Sequence, residues 1–240
     1  MANLSNAPER PPDVVARPTV AAFDFDGTLT DGGSVYPFLV ALRDRWTVWR
    51  TVATMAPALI WAAIAGGTAA DDTKERMFHR LLGGLPFEEV ERKSQAFALA
   101  HLQRHLRTDT LGRLNWHLEQ GHHVVIVSAS PELYVLPAGQ HLGVPGVVAT
   151  RLAVEGGVLT GGYLGKNCRG AEKYARLIVH LRTNGLMTAN GTGQQPVLWA
   201  YGNSRGDLRL LDAADHGVDC GKLGPLGRLR RFPRLAQISH

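Results

Sequence analysis

The sequence predicts an α/β protein built around an open parallel sheet. Three apolar runs, at residues 20–23, 124–127 and 197–201, are continuous and rich in β-branched and aromatic residues, as buried strands are. Between the last two runs, Leu177 and Leu181 belong to a stretch with apolar residues at helical spacing. The chain has 240 residues, of which 45% are hydrophobic, so it is long and apolar enough to bury a sizeable core.

The first strand run is followed by two carboxylates, Asp24 and Asp26, and then by Gly27, which marks a sharp turn. Residues i and i+2 of an extended strand point the same way, so these two side chains can share one cavity. Carboxylates this close repel each other unless a cation lies between them, and Mg2+ is the cation that such hard oxygen ligands favour. Taken alone, the segment fits an N-cap pair at the start of a helix equally well.

Polar side chains also follow the other two strand runs. Ser128 begins a Ser-Ala-Ser segment after the second run, and Asn203 and Asp207 follow the third. Lys173 opens the amphipathic stretch between them. Because open parallel sheets bind ligands outside the carboxyl ends of their strands, we expect these groups to converge with Asp24 at one crevice.

The order of these segments resembles that of the haloacid dehalogenase (HAD) superfamily of phosphatases. Its four motifs correspond here to DFDGTLT at residues 24–30, SAS at 128–130, Lys173, and YGNSRGD at 201–207. The chain is most similar to the phosphoserine-phosphatase-like subfamily IB. The resemblance covers residues 18–220. It implies a doubly wound, Rossmann-like parallel sheet with a helical cap inserted after the first strand.

This resemblance divides the chain into segments. The HAD core is expected at residues 18–31 and 116–220, with the helical cap at 32–115, a flexible N-terminal lead at 1–17 and a basic C-terminal tail at 221–240. Cap helices are predicted at 37–50, 56–65, 73–82 and 87–105, and a β-hairpin is predicted at 149–164. The lead is rich in proline and lacks the apolar segment of a signal peptide, which favours a flexible structure.

The resemblance also assigns chemical roles. Asp24 would be the nucleophile that forms an aspartyl-phosphate, Asp26 the general acid and base, and Lys173 the cation that neutralises the developing charge. The phosphate would be held by backbone amides and hydroxyls of Phe25, Gly27, Thr28, Ser128 and Ala129. The Mg2+ ligands would be Asp24, the carbonyl of Asp26, Asn203 and Asp207. The alternatives are that Thr28 and Ser128 are turn hydroxyls and that Lys173 is a charge on a helix surface.

One departure from the family pattern affects the metal. Many members have Asp where this chain has Asn203, so the metal loses one charged ligand and keeps a neutral oxygen. Metal affinity should therefore fall. This leaves open a second class of function, in which the protein is a catalytically weak, phosphate-binding regulator or scaffold with a HAD fold.

A second departure affects the substrate. Phosphoserine phosphatases read the amino group with a Glu shortly after the first motif, but residues 30–34 contain none, and Arg76 and Arg80 lie out of register for binding a carboxylate. Phosphoserine is thus a disfavoured substrate. The tryptophans of the cap, Trp46, Trp49 and Trp61, suggest instead a lipid or otherwise apolar phosphate.

The net charge of +5 comes from five basic residues within residues 222–240, a segment without any acid. The rest of the chain is neutral, which argues against a nucleic-acid-binding platform. The basic segment is either a solvated tail or a surface that meets anionic lipid or a partner. With only two cysteines and no metal-binding cysteine spacing, the chain is expected in the cytoplasm, and its oligomeric state is not predicted.

Residues 51–70 carry no charge and are as long as a membrane span. Spanning would place Asp24 on one side of the bilayer and Ser128 on the other, which would separate the proposed site. We therefore expect cap helices whose apolar side packs internally or contacts a membrane interface, so that the protein is at most peripheral at the membrane.

Overall fold

A computed structural model of the chain describes residues 17–188, 195–221, 229 and 231–238. The predicted flexible lead lies outside the described residues except for Arg17. The guanidinium of Arg17 donates hydrogen bonds to the main-chain oxygens of Gln195 (2.6 Å) and Pro196 (3.0 Å). These contacts attach the beginning of the described chain to the segment that leads into a sheet strand.

The described residues form seven strands and eight α-helices. In chain order the strands are β1 (Thr19–Phe23), β2 (His123–Pro131), β3 (Gly146–Thr150), β4 (Leu152–Glu155), β5 (Val158–Tyr163), β6 (Val197–Gly202) and β7 (His216–Asp219). The helices are α1 (Val35–Leu42), α2 (Arg45–Ala65), α3 (Gly67–Leu82), α4 (Phe87–His105), α5 (Thr108–Glu119), α6 (Glu132–His141), α7 (Ala171–Thr183) and α8 (Leu208–Ala213).

The main sheet confirms the predicted fold class. Its five strands are all parallel, in the order β3-β2-β1-β6-β7, with β1 in the centre. Ala21 and Phe23 of β1 belong to the core on one face, with Leu114 of α5 and Tyr134 of α6. The alternate residues of β1 belong to the core on the other face with residues of α7 and α8. The three predicted strand runs are thus β1 and its two neighbours, and helices cover both faces as in a doubly wound sheet.

The first helices after β1 have different boundaries from those predicted. The first break falls at Asp44, whose carboxylate accepts a hydrogen bond from the Thr47 amide (2.9 Å) and caps α2. From there α2 continues for 21 residues through Pro57, whereas the sequence predicts separate helices at 37–50 and 56–65. Pro57 and Ala53 are both exposed, so water can satisfy the Ala53 carbonyl that a proline four residues later leaves without its helical partner.

The predicted β-hairpin is present but shorter. Strands β4 and β5 pair in an antiparallel manner across Gly156 and Gly157, which both have positive φ (56° and 80°). The hairpin begins at Leu152 rather than at residue 149, because Ala149 and Thr150 complete β3 in the parallel sheet.

The boundary predicted between residues 115 and 116 falls inside α5. Leu114 and His117 of this helix are buried, and His117 contacts the sheet directly, through the Tyr201 hydroxyl of β6 (2.8 Å) and the Phe23 ring of β1 (6.0 Å between ring centres). The chain therefore leaves the inserted helices before α5, a position that helical spacing alone does not reveal.

Part of the predicted basic C-terminal tail, for which solvation and contact with lipid or a partner were the alternatives, packs against β7. The Asp219 amide donates to the main-chain oxygen of Pro233 (2.9 Å), and Oδ2 of Asp219 accepts from the amide of buried Leu229 (3.2 Å). Arg231 forms an ion pair with Asp212 (2.6 Å). Lys222, Arg228 and Arg230 lie outside the described residues.

Buried His117 makes the free energy of unfolding depend on pH. Its Nε2 lies 2.8 Å from the Tyr201 hydroxyl, which also accepts a hydrogen bond from Nε of Arg113 (2.8 Å). Burial, and then the charge of Arg113, lower the pKa of His117 from 6.5 to about 3. Below pH 6.5 the unfolded chain therefore takes up a proton that the folded chain excludes. We expect the free energy of unfolding to fall by about 2 kcal/mol between pH 7 and pH 5 from this residue.

Chemical denaturation at both pH values measures this loss. His117→Gln, which keeps a donor and an acceptor but does not titrate, should remove that part of the pH dependence. An equal pH dependence in the two proteins would show that His117 does not cause it.

Candidate active site

The carboxyl edge of the parallel sheet brings the predicted residues together. The amide of Asp24 donates to the main-chain oxygen of Tyr201 (2.9 Å), which extends the pairing of β1 with β6 and fixes where the Asp24 side chain begins. Asp24 is buried and Asp26 is partly exposed. A cavity of about 250 Å³ opens at this edge, and the residues that line it are Asp24, Asp26, Ser128, Ala129, Ser130, Arg169, Lys173, Asn203, Ser204, Gly206 and Asp207.

Lys173 is a buried cation at this site. It lies in the first turn of α7, and its ammonium contacts Oδ1 of Asp24 at 2.6 Å and Oδ1 of Asp207 at 2.5 Å. Burial alone would lower the pKa of Lys173, but the two carboxylates more than offset it and raise the pKa above its ordinary value. Lys173 therefore stays protonated and binds both acids, which contradicts the alternative of a charge on a helix surface.

The two carboxylates beside Lys173 differ in the direction of their pKa shift. Burial, and then the charge of Asp207, raise the pKa of Asp24 from 3.8 to about 7, although Lys173 opposes the shift. Burial also acts on Asp207, but Lys173 and hydrogen bonds from Ser204 hold the pKa of Asp207 below its ordinary value. Oδ2 of Asp207 accepts from the amides of Asn203 (3.2 Å) and Ser204 (3.0 Å) and from the Ser204 hydroxyl (2.8 Å). Asp207 thus keeps its charge and orders the loop after β6.

Asp26 is held in place by two donors. Its Oδ1 accepts from the Ser34 amide (2.7 Å), and its Oδ2 accepts from the Ser130 hydroxyl. The Ser34 hydroxyl in turn lies 2.7 Å from the hydroxyl of buried Tyr134. These contacts connect the Asp26 carboxylate to the segments after β1 and at the end of β2.

The five predicted phosphate-binding residues fall into two groups. Ser128 and Ala129 line the cavity, and the Ala129 carbonyl is fixed by Nζ of Lys74 (2.6 Å). Thr28 is buried, and its hydroxyl donates to Oδ2 of Asp24 (3.3 Å), so in this structure it positions the carboxylate. The Phe25 side chain packs in the core, which leaves only its main chain for a ligand.

Gly27, the fifth of these residues, is required by its surroundings. Its φ is +78°, and a Cβ at this position would lie 2.0 Å from Nδ2 of Asn203. The turn after β1 can therefore approach the loop after β6 only with glycine at this position. That phosphate is held by these five residues stays a prediction.

Two oxygens and the Asn203 amide lie together where a magnesium ion would bind. One terminal atom of the Asn203 amide lies 3.2 Å from both the Asp26 main-chain oxygen and Oδ2 of Asp24. As nitrogen this atom donates to both; as oxygen it completes a group of three oxygens of the kind that Mg2+ prefers. Within the described part of the chain no three His, Cys, Asp or Glu side chains form a metal cluster, and this group instead combines a carboxylate with an amide and a main-chain carbonyl. Of the predicted ligands, Asp24, Asp26 and Asn203 thus fit the ion together. The fourth, Asp207, contacts Lys173, which also contacts Asp24.

Several residues at the site were given no role by the sequence, among them Ser130, Ser204, Arg169 and Lys74. Ser130 had a usable signal, because it lies two residues after Ser128 and so on the same side of an extended strand. Ser204 and Arg169 belong to loops whose course the sequence pattern does not define. Lys74 lies on α3, and nothing in its helical spacing indicates that it reaches the Ala129 carbonyl.

Fold and site together define a class of protein, namely one with a cluster of carboxylates and a buried lysine at the carboxyl edge of a doubly wound parallel sheet. The sequence profile of haloacid dehalogenase-like hydrolases matches residues 21–212. The chain belongs to this family, as the resemblance in its motifs predicted.

Relatives of known sequence or structure agree with this assignment. Protein CicA of Caulobacter vibrioides is 34% identical over 200 residues, which cover 82% of this chain and 84% of CicA. A Bordetella pertussis protein of unknown function has a similar structure, with a TM-score of 0.70, 21% identity, and coverage of 85% of this chain and 90% of that one. A phospho-aspartyl intermediate analogue of phosphoserine phosphatase has a TM-score of 0.59 and 20% identity, with 86% and 88% coverage. The fold is therefore that of phosphoserine phosphatases, as predicted.

Asn203 provides a direct test of the metal site. Asn203→Asp adds a carboxylate beside the Asp26 carbonyl and Asp24, so we expect the Mg2+ concentration for half-maximal activity to fall about tenfold. The thermal stabilisation by Mg2+ should rise in parallel. Asn184→Asp, an exposed change at the end of α7, is the matched control. An unchanged or higher Mg2+ requirement would show that Asn203 does not bind the ion.

Proposed function

We propose that this protein is a Mg2+-dependent phosphatase that hydrolyses a phosphate monoester through an aspartyl-phosphate on Asp24. One observation carries the proposal. The Asp24 carboxylate contacts buried Lys173 at 2.6 Å, and both line the same cavity as Asp26 and the Ser128 segment. A nucleophile, an acid–base group and a fixed cation around one cavity are what phosphoryl transfer needs from a protein.

In the first half of the reaction an Asp24 oxygen attacks phosphorus while the bond between phosphorus and the ester oxygen breaks. Asp26 acts as the general acid and gives a proton to the departing alcohol. In the second half Asp26 takes a proton from water, which attacks phosphorus and releases Asp24 and inorganic phosphate. The Ser34 amide and the Ser130 hydroxyl hold the Asp26 carboxylate in position during both halves.

Two further groups supply charge. Lys173 stabilises the carboxylate form of Asp24 before attack, because it opposes the rise in the pKa of Asp24 that burial causes. It also keeps Asp24 and Asp207 from repelling each other. When bound by the Asp24, Asp26 and Asn203 oxygens, Mg2+ would neutralise charge on the transferred phosphoryl oxygens.

The proposed substrate class is a lipid or otherwise apolar phosphate rather than phosphoserine. The sequence suggests that the cap tryptophans would favour an apolar substrate. In the structure Trp46, Trp49 and Trp61 are exposed on the outer face of α2, so they do not support this substrate class by themselves. Support comes instead from the position of the end of α2. Arg169 lines the cavity and donates to the main-chain oxygen of Gly67 (3.4 Å), two residues beyond α2, so this apolar helix ends beside the site.

Phosphate release from a panel of monoesters tests the proposal. The panel should contain p-nitrophenyl phosphate, phosphoserine and a lysophosphatidic acid, each assayed with chelator and after Mg2+ is restored. We expect turnover that Mg2+ restores, with the lipid phosphate preferred to phosphoserine. Turnover that chelator leaves unchanged would contradict the mechanism, and a preference for phosphoserine would contradict the substrate class.

The neutral side chain of Asn203 favours a second candidate function, in which the protein is a weakly catalytic regulator that binds phosphate. Under that alternative the native chain would be stabilised by inorganic phosphate and Mg2+ in thermal unfolding but would release no phosphate from any ester of the panel. Such a result, with a folded protein, would replace the phosphatase proposal.

A further inference from the structure

Helix α2 presents a largely apolar stripe to solvent, with exposed Arg50 on the same side near its beginning. Five large apolar side chains are more than half exposed: Trp46 (63%), Trp49 (53%), Ile60 (62%), Trp61 (65%) and Ile64 (73%). Together with exposed Ala53 and Pro57 they recur at spacings of three and four residues, which places them on one side of the helix. The rings of Trp46 and Trp49 stack at 4.7 Å on this surface. Isolated exposed apolar residues are common, but a stripe that runs the length of a 21-residue helix marks an interaction surface.

The fold limits how this stripe can meet a membrane. Among the described residues α2 is the one helix long and apolar enough to cross a bilayer. Asp24 precedes α2 and Lys173 follows it, yet their side chains touch at 2.6 Å. On its other side α2 buries Val48, Met55 and Ala62. The helix therefore meets a bilayer along its side and does not cross it.

The charges on α2 indicate which kind of partner the stripe would bind. Arg45 and Arg50 are both exposed near its beginning, and the helix carries no acid. In an antiparallel pair of α2 helices these arginines would face the uncharged end of the other copy, and in a parallel pair they would face each other. Anionic headgroups complement them, and tryptophan prefers the same interfacial depth.

We propose that the exposed stripe of α2 seats this protein on the surface of a bilayer that contains anionic lipid. The helix lies in the interface with its tryptophans and isoleucines inserted and its two arginines on lipid phosphates. Because α2 ends beside Arg169, this position brings the cavity close to the bilayer. The surface is separate from the catalytic groups, so binding to lipid does not depend on the proposed reaction.

Co-sedimentation of the full chain with vesicles tests the proposal. The vesicles are phosphatidylcholine alone and an equal mixture of phosphatidylcholine and phosphatidylglycerol. We expect binding to the mixed vesicles, a decrease of about tenfold for Trp46→Ser combined with Trp61→Ser, and a similar decrease for Arg45→Gln combined with Arg50→Gln. Val179→Ser and Arg182→Gln, which change exposed positions of α7, are the matched controls and should bind as the native chain does.

All variants should unfold at the native temperature, because the changed side chains are exposed. Failure of the native chain to sediment with the mixed vesicles would overturn the proposal, as would equal binding by the tryptophan variant. A dimer in analytical ultracentrifugation that Trp46→Ser and Trp61→Ser dissociate, without vesicle binding, would assign the stripe to a second copy of the chain instead.

Discussion

Replacing Asp24 with Asn is expected to lower kcat by about 10⁴-fold or more. The amide has nearly the same shape as the carboxylate but cannot form the acyl phosphate, and the other carboxylate after β1, Asp26, is held by Ser34 and Ser130. Steady-state release of phosphate from the best ester of the panel measures the loss.

The same variant should remain folded. Asp24 is buried beside Asp207, and the charge of Asp207 raises the pKa of Asp24, so removing one negative charge relieves repulsion. We therefore expect an unfolding temperature equal to or above that of the native chain. Asp212→Asn, which removes a carboxylate that pairs with Arg231 at the surface, is the matched control for activity. A kcat within tenfold of native for Asp24→Asn would exclude Asp24 as the nucleophile.

Replacing Lys173 with Met is expected to damage both activity and stability. It leaves Asp24 and Asp207 buried and adjacent without the cation that both contact. Losing one partner of a buried ion pair costs about 3–5 kcal/mol of unfolding free energy. Loss of a charge aimed at the reacting group lowers kcat by roughly 10²–10³-fold. Denaturant titration and steady-state kinetics measure the two effects.

A double variant separates these effects. Adding Asp207→Asn to Lys173→Met removes one of the two carboxylates that have lost their cation. This double variant should therefore regain part of the stability but not the activity. Lys166→Met, at an exposed position before α7, is the matched control and should change neither quantity. Native stability in Lys173→Met would show that the buried ion pair makes no net contribution.

The gathering of the polar residues at one sheet edge follows from the sequence more directly than the helix boundaries do, and the reason is geometric. Asp24, Ser128 and Asn203 each follow an apolar strand run, and parallel strands bring their carboxyl ends to one edge. Lys173 was placed by its position in the order of motifs. The resemblance implied that Lys173 neutralises charge at the nucleophile, and the structure places its ammonium, buried, against Asp24 and also against Asp207, a partner that the sequence did not indicate.

The rest depends on tertiary contacts that leave little trace in the sequence. Pro57 suggested a break, but α2 continues because Pro57 faces solvent. Helix α5 belongs with the sheet because His117 contacts Tyr201 of β6 and Phe23 of β1, and a helical pattern does not show these partners. Lys74 reaches the Ala129 carbonyl only because α3 lies over the end of β2, a relation between segments far apart in the chain.

Trapping the phosphorylated protein tests the central claim most directly. The native chain is mixed with the best ester and Mg2+, quenched in acid during turnover, and digested for mass spectrometry. We predict one added phosphoryl group on Asp24 within the peptide that contains DFDGT, and its absence in Asp24→Asn. Rapid turnover with an unmodified Asp24 peptide, or a phosphoryl group on another residue, would contradict the account.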